Sequence, residues 1–330
     1  MASAQTAATQ MAKPNAAMQA VLDKLKALGA KPLHTLTVEQ ARSQPTPADA
    51  VKAVMQEKGI KPGPEADIAT RDIMIPGAAG DVPARVYTPP GNGPFPLIVY
   101  FHGGGWVIAN IDTYDGSARA LALGAKAVVV SSHYRQGPEA PFPAFHDDAN
   151  AAYAWAVENS GSLNADATRI AIAGESAGGN LAANVAITAR DKKLTMPIYQ
   201  LLVYPIAGND MDTPSYLENA DAAPLGKADM AWFVKNAFAK MEDAADPRIN
   251  LVGRTDLQGL PPATVILAQI DPLRSEGEAY AAALTAAGIK VHLQSYAAVT
   301  HEFFGMGAVV PESKQAMDLA TADLRAAFGN

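Results

Sequence analysis

The sequence predicts an α/β protein with a mostly parallel sheet covered by helices on both faces. Three observations carry this. Strand-like and helix-like runs alternate from residue 72 onward, the pattern of a parallel sheet with crossover helices. The strand-like runs PLIVYF, AVVVSS and IAIAG are continuously apolar, as strands buried on both faces are. The chain has 330 residues, 49% of them hydrophobic and 18% charged, enough for one large core.

The elements follow in order. Residues 15–30 carry Met18, Val21, Leu22, Leu25 and Leu28 at helical spacing. The polar stretch RSQPTPAD interrupts the chain, a short helix is expected over 48–58, and KPGPEAD breaks it again. Strands are expected over 72–75, 82–87, 97–101, 127–132, 170–173, 198–203, 264–268 and 291–296. Helices are expected over 147–158, 177–190 and 276–286, with a closing helix near 313–327. No helix separates the first two strands, so the sheet should start antiparallel. Residues 209–241 lack a strand signal and contain two prolines; Met230, Phe233, Val234, Ala237, Phe238 and Met241 then form a helical stripe. This reads as a helical insertion over the strand ends, which the N-terminal helices can join.

Bulk properties exclude several function classes. The net charge is −7 with no Lys/Arg cluster, so neither nucleic acid nor an anionic membrane is an expected partner. No apolar run approaches the ~18 residues of a membrane span. Cysteine is absent, which removes disulfides, thiolate nucleophiles and thiolate metal sites together. The N-terminal MASAQTAATQMAKPN lacks the apolar stretch of a signal peptide. It reads as a frayed tail, and a cytoplasmic location is the default, with a periplasmic or secreted one left open.

The chemistry begins at IAIAGESAGGNLAANVA, where an apolar strand runs into Gly174-Glu175-Ser176-Ala177-Gly178 and a helix follows at once. This is the nucleophile-elbow pattern, G-x-S-x-G between strand and helix. The flanking glycines suit a turn too tight for side chains beside the serine, and the helix N-terminus offers free N–H groups. The alternative is a glycine-rich turn that only packs helix on strand. Serine needs a base, and after an elbow the order runs serine, acid, histidine.

Two histidines follow Ser176. His292, inside VHLQSY, alternates onto a sheet face and reads as a surface residue. His301 lies in a loop after that strand, where catalytic groups concentrate, and is the candidate base. Asp271 directly follows a buried strand, ATVILAQI. A carboxylate there is costly to bury unless it holds an imidazole N–H; the alternative, a helix N-cap, is favoured by the Pro and acidic residues of DPLRSEGE. Glu276 and Glu278 read as solvated helix residues.

The run HGGGW places three glycines after the strand 97–101. Attack on an ester leaves an oxyanion that needs preorganised N–H donors, each worth about 3 kcal/mol. Side chains in this loop would block the substrate, so Gly104 and Gly105, with the N–H of Ala177, form the candidate oxyanion hole. Gly103 allows the turn and His102 holds the loop in shape. A phosphate cradle is disfavoured, since neither G-x-G-x-x-G nor GK[ST] is present. In FHDDAN, His146, Asp147 and Asp148 read as a helix start with acidic caps and not as a metal site. His34, His102 and His133 read as isolated.

With these motifs in place, the sequence resembles the bacterial hormone-sensitive-lipase-like esterases of the α/β-hydrolase fold. The resemblance is carried by HGGGW (102–106), YR..PE (134–139), GESAGG (174–179), YP (204–205), DPLR.EG (271–277) and H.F (301–303), in order across residues 70–330. It implies an eight-stranded, mostly parallel sheet in one catalytic domain, 1–330, with a helical cap from about 1–50 and 208–245. It implies Ser176 as nucleophile, Asp271 as acid, His301 as base, and Gly104, Gly105 and Ala177 as oxyanion donors, in agreement with the residue-level reading. Three departures are visible: Glu175 where Asp is commoner, Ser275 for a usual acidic residue, and HYRQGPE for DYRLAPE.

The expected function is a serine carboxylesterase for short-to-medium acyl esters, with no metal or cofactor and a small-molecule ester as substrate. An amidase or lactonase with the same triad is the enzymatic alternative. A non-catalytic ligand-binding protein on this fold is the other class, which would be expected to lack a triad member. The strand from Val291 to Tyr296 should lie near a sheet edge, where a homodimer can pair.

Overall fold

The computed structural model describes residues 11–329; the N-terminal tail to residue 10 lies outside them. Eight strands run in chain order: β1 Ala69–Gly77, β2 Gly80–Thr88, β3 Phe95–Phe101, β4 Val128–Ser132, β5 Ala165–Glu175, β6 Tyr199–Val203, β7 Ala263–Ile270 and β8 Val291–Thr300. The α-helices are α1 Ala16–Ala27, α2 Val38–Ser43, α3 Pro47–Lys58, α4 Asp115–Ala125, α5 Ala144–Glu158, α6 Ala177–Asp191, α7 Pro214–Glu218, α8 Lys227–Ala237, α9 Arg274–Ala286 and α10 Pro311–Phe328.

The strands form one sheet in the order β1-β2-β4-β3-β5-β6-β7-β8. β2 runs antiparallel to both neighbours, and every later pairing is parallel. The antiparallel start and the edge position of the last strand agree with the sequence.

Side chains of β3 alternate between two cores. Leu97, Val99 and Phe101 pack with α5, α6 and α9. Ile98 and Tyr100 pack with α1, α4 and α10. Both faces are covered, so all seven β3 residues are buried and the run must be apolar throughout. Burial of each large aliphatic side chain is worth about 1.5–3 kcal/mol. β5 outgrows its apolar signal, 170–173, because its ladder with β3 continues at both ends.

Two helices escape the sequence reading. α4 shows only a small-residue stripe, Ala118, Leu121, Ala122 and Ala125. α2 is six residues long and is held by a capping box between Thr37 and Gln40.

Between β6 and β7 the chain carries α7 and α8 and no strand. Segment 33–36, just before α2, is tied to α8. The backbone N–H of His34 and its Nδ1 both lie against Asp229 Oδ1, at 3.0 and 2.8 Å, and the Trp232 indole N–H donates to the Leu36 carbonyl at 2.9 Å. Of the α8 stripe, Met230, Phe233, Ala237 and Phe238 pack into the main core, joined by Trp232 from beside the stripe, with Val234 half-buried against it. Met241 falls outside the stripe: it begins a 3-10 turn beyond α8 and is 62% exposed.

Candidate active site

β5 ends at Glu175 and α6 begins at Ala177, leaving Ser176 as the hinge between them, with φ 56°. That left-handed backbone is strained for a non-glycine residue. Ser176 is over-determined by its neighbours: its N–H donates to the Val203 carbonyl at 2.9 Å, and its own carbonyl accepts from Asn180 and Ile206. A Cβ on Gly174 would overlap the Gly178 carbonyl, and one on Gly178 would overlap that of Phe101. The glycines are there for clearance.

His301 follows β8 and reaches both partners. Its Nε2 lies 3.0 Å from Ser176 Oγ and its Nδ1 2.7 Å from Asp271 Oδ2. Asp271 sits at the end of β7 and is fully buried. A carboxylate only accepts, so His301 donates Nδ1–H and keeps Nε2 bare toward the serine hydroxyl. Asp271 is not the N-cap of α9, a position held by Leu273, but its Oδ1 accepts the Leu273 N–H at 2.8 Å and so ties the turn before that helix. Burial works against the His301 imidazolium, but Asp271 outweighs it, aided by Glu302 and Glu175, and the pKa is raised.

Two neighbours of this constellation were not foreseen. Glu302 Oε1 lies 3.8 Å from His301 Nε2, and its carboxylate accepts from the Tyr114 hydroxyl at 2.6 Å; the available signal was a charge inside the apolar run HEFF. The Tyr204 ring packs against that of His301, centroids 4.4 Å apart and tilted by 49°. Glu175 is buried behind Ser176, accepting from Tyr100 at 2.6 Å and from Tyr204. Burial pushes its carboxyl up to about 7, against those hydrogen bonds.

The glycine loop holds its peptide groups in fixed orientations. Gly104 and Gly105 take φ values of +96° and +57°, which glycine adopts without strain. A Cβ on Gly104 would overlap the Ile108 carbonyl, and one on Gly105 the Phe233 ring. Among the described residues no protein group accepts the N–H of Gly104, Gly105 or Ala177. In a trans peptide the C=O and the next N–H point opposite ways. The Gly104 carbonyl accepts from Val107 and Ile108 at 3.0 and 2.9 Å, which fixes the Gly105 N–H. The Gly103 carbonyl is held by His102 Nδ1 at 2.7 Å and Tyr134 at 3.1 Å, which fixes that of Gly104.

Several expectations are corrected. Glu276 is buried, not solvated: it accepts the Ala207 N–H at 2.8 Å, and burial pushes its carboxyl up to about 8. Asp148 is no surface cap but is buried, taking Arg135 and the Ala78 N–H. His146 is likewise buried, against Asn180 at 2.9 Å. His34 pairs with Asp229, and His102 and His133 pair with each other, Nε2 to Nδ1, at 2.9 Å. His292 does lie on the surface, beside Asp323.

A cavity of about 780 Å³ opens on Ser176 and His301, lined also by Gly104, Gly105, Met230 and Phe233. One end of the α8 stripe therefore walls the space above the serine. Among the described residues no group of three His, Cys, Asp or Glu side chains is placed to hold a metal ion, and no helix is long and apolar enough to cross a membrane.

Comparison with known proteins follows the geometry. Residues 98–305 match a family model described as the alpha/beta hydrolase fold. A carboxylesterase of Mycobacterium tuberculosis, NlhH, is 42% identical over 274 residues, covering 80% of this chain and 84% of its own. The structure of a hyperthermophilic esterase from the archaeon Pyrobaculum calidifontis superposes with a TM-score of 0.81 at 36% identity, covering 93% of this chain and 97% of that one. An ester hydrolase from the metagenome of Lake Arreo, solved with a bipyridine phosphonate derivative, superposes with a TM-score of 0.84 at 37% identity over 96% and 99%.

Proposed function

The chain belongs to the α/β-hydrolase family, in its hormone-sensitive-lipase-like branch, and is a carboxylic ester hydrolase; from that premise we propose that Ser176, Asp271 and His301 carry the reaction through an acyl-enzyme. The observation behind this is the His301 bridge, 3.0 Å to Ser176 and 2.7 Å to Asp271, beside N–H groups with no protein acceptor.

His301 takes the Ser176 proton as Oγ adds to the ester carbonyl. The resulting oxyanion is received by the N–H groups of Gly104, Gly105 and Ala177. His301 then gives the proton to the leaving alcohol; the same imidazole draws a proton from water as it adds to the acyl-enzyme and returns it to Ser176 Oγ as the acyl bond breaks, releasing the acid and restoring the free enzyme. A chromogenic p-nitrophenyl ester should give a burst of one nitrophenol per enzyme where deacylation is the slower step. A burst with no acyl-enzyme trapped at Ser176 on acid quench would exclude the scheme.

The oxyanion exists only after attack, so its donors act on turnover more than on ground-state binding. Alanine keeps the N–H, but at position 104 its Cβ would meet the Ile108 carbonyl and turn the peptide, so Gly104→Ala is expected to lower kcat by about 10²–10³, as losing a donor does, with little change in KM. A pure rise in KM would make the loop a substrate-binding element instead.

The cap is read as the N-terminal segment to about residue 50 together with about 208–245, supported by the ties of His34 and Leu36 to α8. A roof carrying Met230 and Phe233 over a cavity of about 780 Å³ favours short-to-medium acyl chains. Each buried methylene adds about 0.8 kcal/mol until the space is full. Rates on p-nitrophenyl esters should rise from acetate to a short-to-medium maximum and then fall steeply, without a jump when substrate forms an interface. A preference for long-chain triglyceride emulsions would refute this.

A homodimer through β8 is supported by its place at the sheet edge and by Leu293, 43% exposed. Sedimentation equilibrium checks it, and a monomer at micromolar concentration would rule it out.

A further inference from the structure

His102 is buried and stacked on Tyr134, with ring centroids 4.5 Å apart, and the ring of His133 lies nearly parallel to it at 5.1 Å. Its two nitrogens face different chemistry. Nδ1 lies 2.7 Å from the Gly103 carbonyl oxygen. That oxygen only accepts, so the proton is on Nδ1. Burial, with His133 beside it, holds the ring neutral by pulling its pKa down to about 3. A neutral imidazole with its proton on Nδ1 has a bare Nε2, and His133 Nδ1 stands 2.9 Å from it. His133 is therefore the donor. The hydrogen bonds run in one direction, from His133 Nδ1–H to His102 Nε2, and from His102 Nδ1–H to the Gly103 carbonyl.

We propose that His133 is a positioning residue for the oxyanion hole: by donating to His102 it fixes the tautomer that holds the Gly103 carbonyl and so aims the Gly104 N–H. The inference rests on the reading of Gly104 as an oxyanion donor. Position 133 is also where HYRQGPE departs from the commoner DYRLAPE. An aspartate there could only accept, and would call for a proton on His102 Nε2. The histidine meets the same loop with a neutral ring.

The charged and titratable groups around the pair are otherwise engaged. Arg42 donates to Glu139 and to the carbonyls of Val107 and Gly137. Asp148 is taken by Arg135 and the Ala78 N–H. Tyr114, near the His102 ring, donates to Glu302. Tyr134 donates between the carbonyls of His102 and Gly103, at 2.9 and 3.1 Å. It is a second anchor for the loop, so loss of His133 should loosen the aim of Gly104 without abolishing it.

The direct test is long-range proton–nitrogen NMR on the full chain labelled with ¹⁵N-histidine. His102 should carry its proton on Nδ1 throughout the pH range of activity; a proton on Nε2 would overturn the proposal. The kinetic test compares two replacements. His133→Phe keeps a stacking ring without a donor and should lower kcat about tenfold at nearly constant KM, less than the about 10²–10³ of losing an oxyanion donor outright. His133→Asn can donate its amide N–H to Nε2 and should recover most of that loss. Recovery by Phe and not by Asn would mean that the ring merely packs, against the proposal. Gly104→Ala separates the two levels: unchanged kcat there removes the oxyanion reading itself, whereas a fall there with full activity in His133→Phe removes only the role of His133. If neither variant folds, the tautomer of the unmodified protein still decides.

Discussion

Ser176→Ala should lose nearly all turnover, by ~10⁶, the size of loss seen when the nucleophile of a serine protease is removed. In the proposed scheme its Oγ is the bond-forming atom, so nothing nearby can substitute for it. The fold should survive the change. Alanine meets the same φ of 56° that serine does, and the elbow's backbone bonds to Val203, Asn180 and Ile206 do not use the hydroxyl. Residual activity of about 10³–10⁴ over water is expected from the oxyanion donors and substrate binding alone. A fluorophosphonate should label Ser176 in the unaltered protein and nothing in the variant. Labelling at another serine, or activity near that of the parent, would sink the assignment.

Asp271→Asn should keep the fold and cut kcat by up to about 10⁴, by analogy with the aspartate of the serine-protease triad. The geometry supplies the reason. One oxygen of Asp271 accepts from Leu273 N–H and the other from His301 Nδ1–H. An asparagine has one acceptor oxygen and one donor NH₂. If the oxygen stays with Leu273, the NH₂ faces His301 and forces the proton onto Nε2, where it blocks acceptance from Ser176.

The pH profile gives a second readout. His301 must be neutral to act as base, so kcat/KM falls as pH drops through its pKa. Burial lowers that pKa, but Asp271 outweighs it and the net shift is upward. The acid limb should therefore lie above the ordinary imidazole value of about 6.5, and Asp271→Asn should move it down. A loss under tenfold in a folded variant, with an unmoved acid limb, would call for another acid. Glu276 is a poor substitute, since it is committed to the Ala207 N–H.

The sheet, the elbow and the order of Ser176, Asp271 and His301 were legible in the sequence because their signals are local. A short, continuously apolar run such as PLIVYF, bounded by prolines and glycines, marks a strand buried on both faces. Two glycines beside a serine are needed by the turn itself. Asp271 and His301 could be singled out because each directly follows a strand, where a polar group needs a reason to be present.

The state of the polar groups was decided by the tertiary structure alone. His102 and His133 stand 31 residues apart, Tyr100 and Glu175 are 75 apart, and Glu276 meets Ala207 across 69. No periodicity within one helix or strand records such a meeting. Glu276 therefore looked solvated and is buried, and His133 looked isolated and is paired. Met241 looked like part of a stripe and is exposed, because α8 ends before it. Backbone sterics and apolar spacing act over a few residues and are written in the chain. Desolvation, tautomer and pKa depend on what the fold brings within about 3–4 Å of each atom.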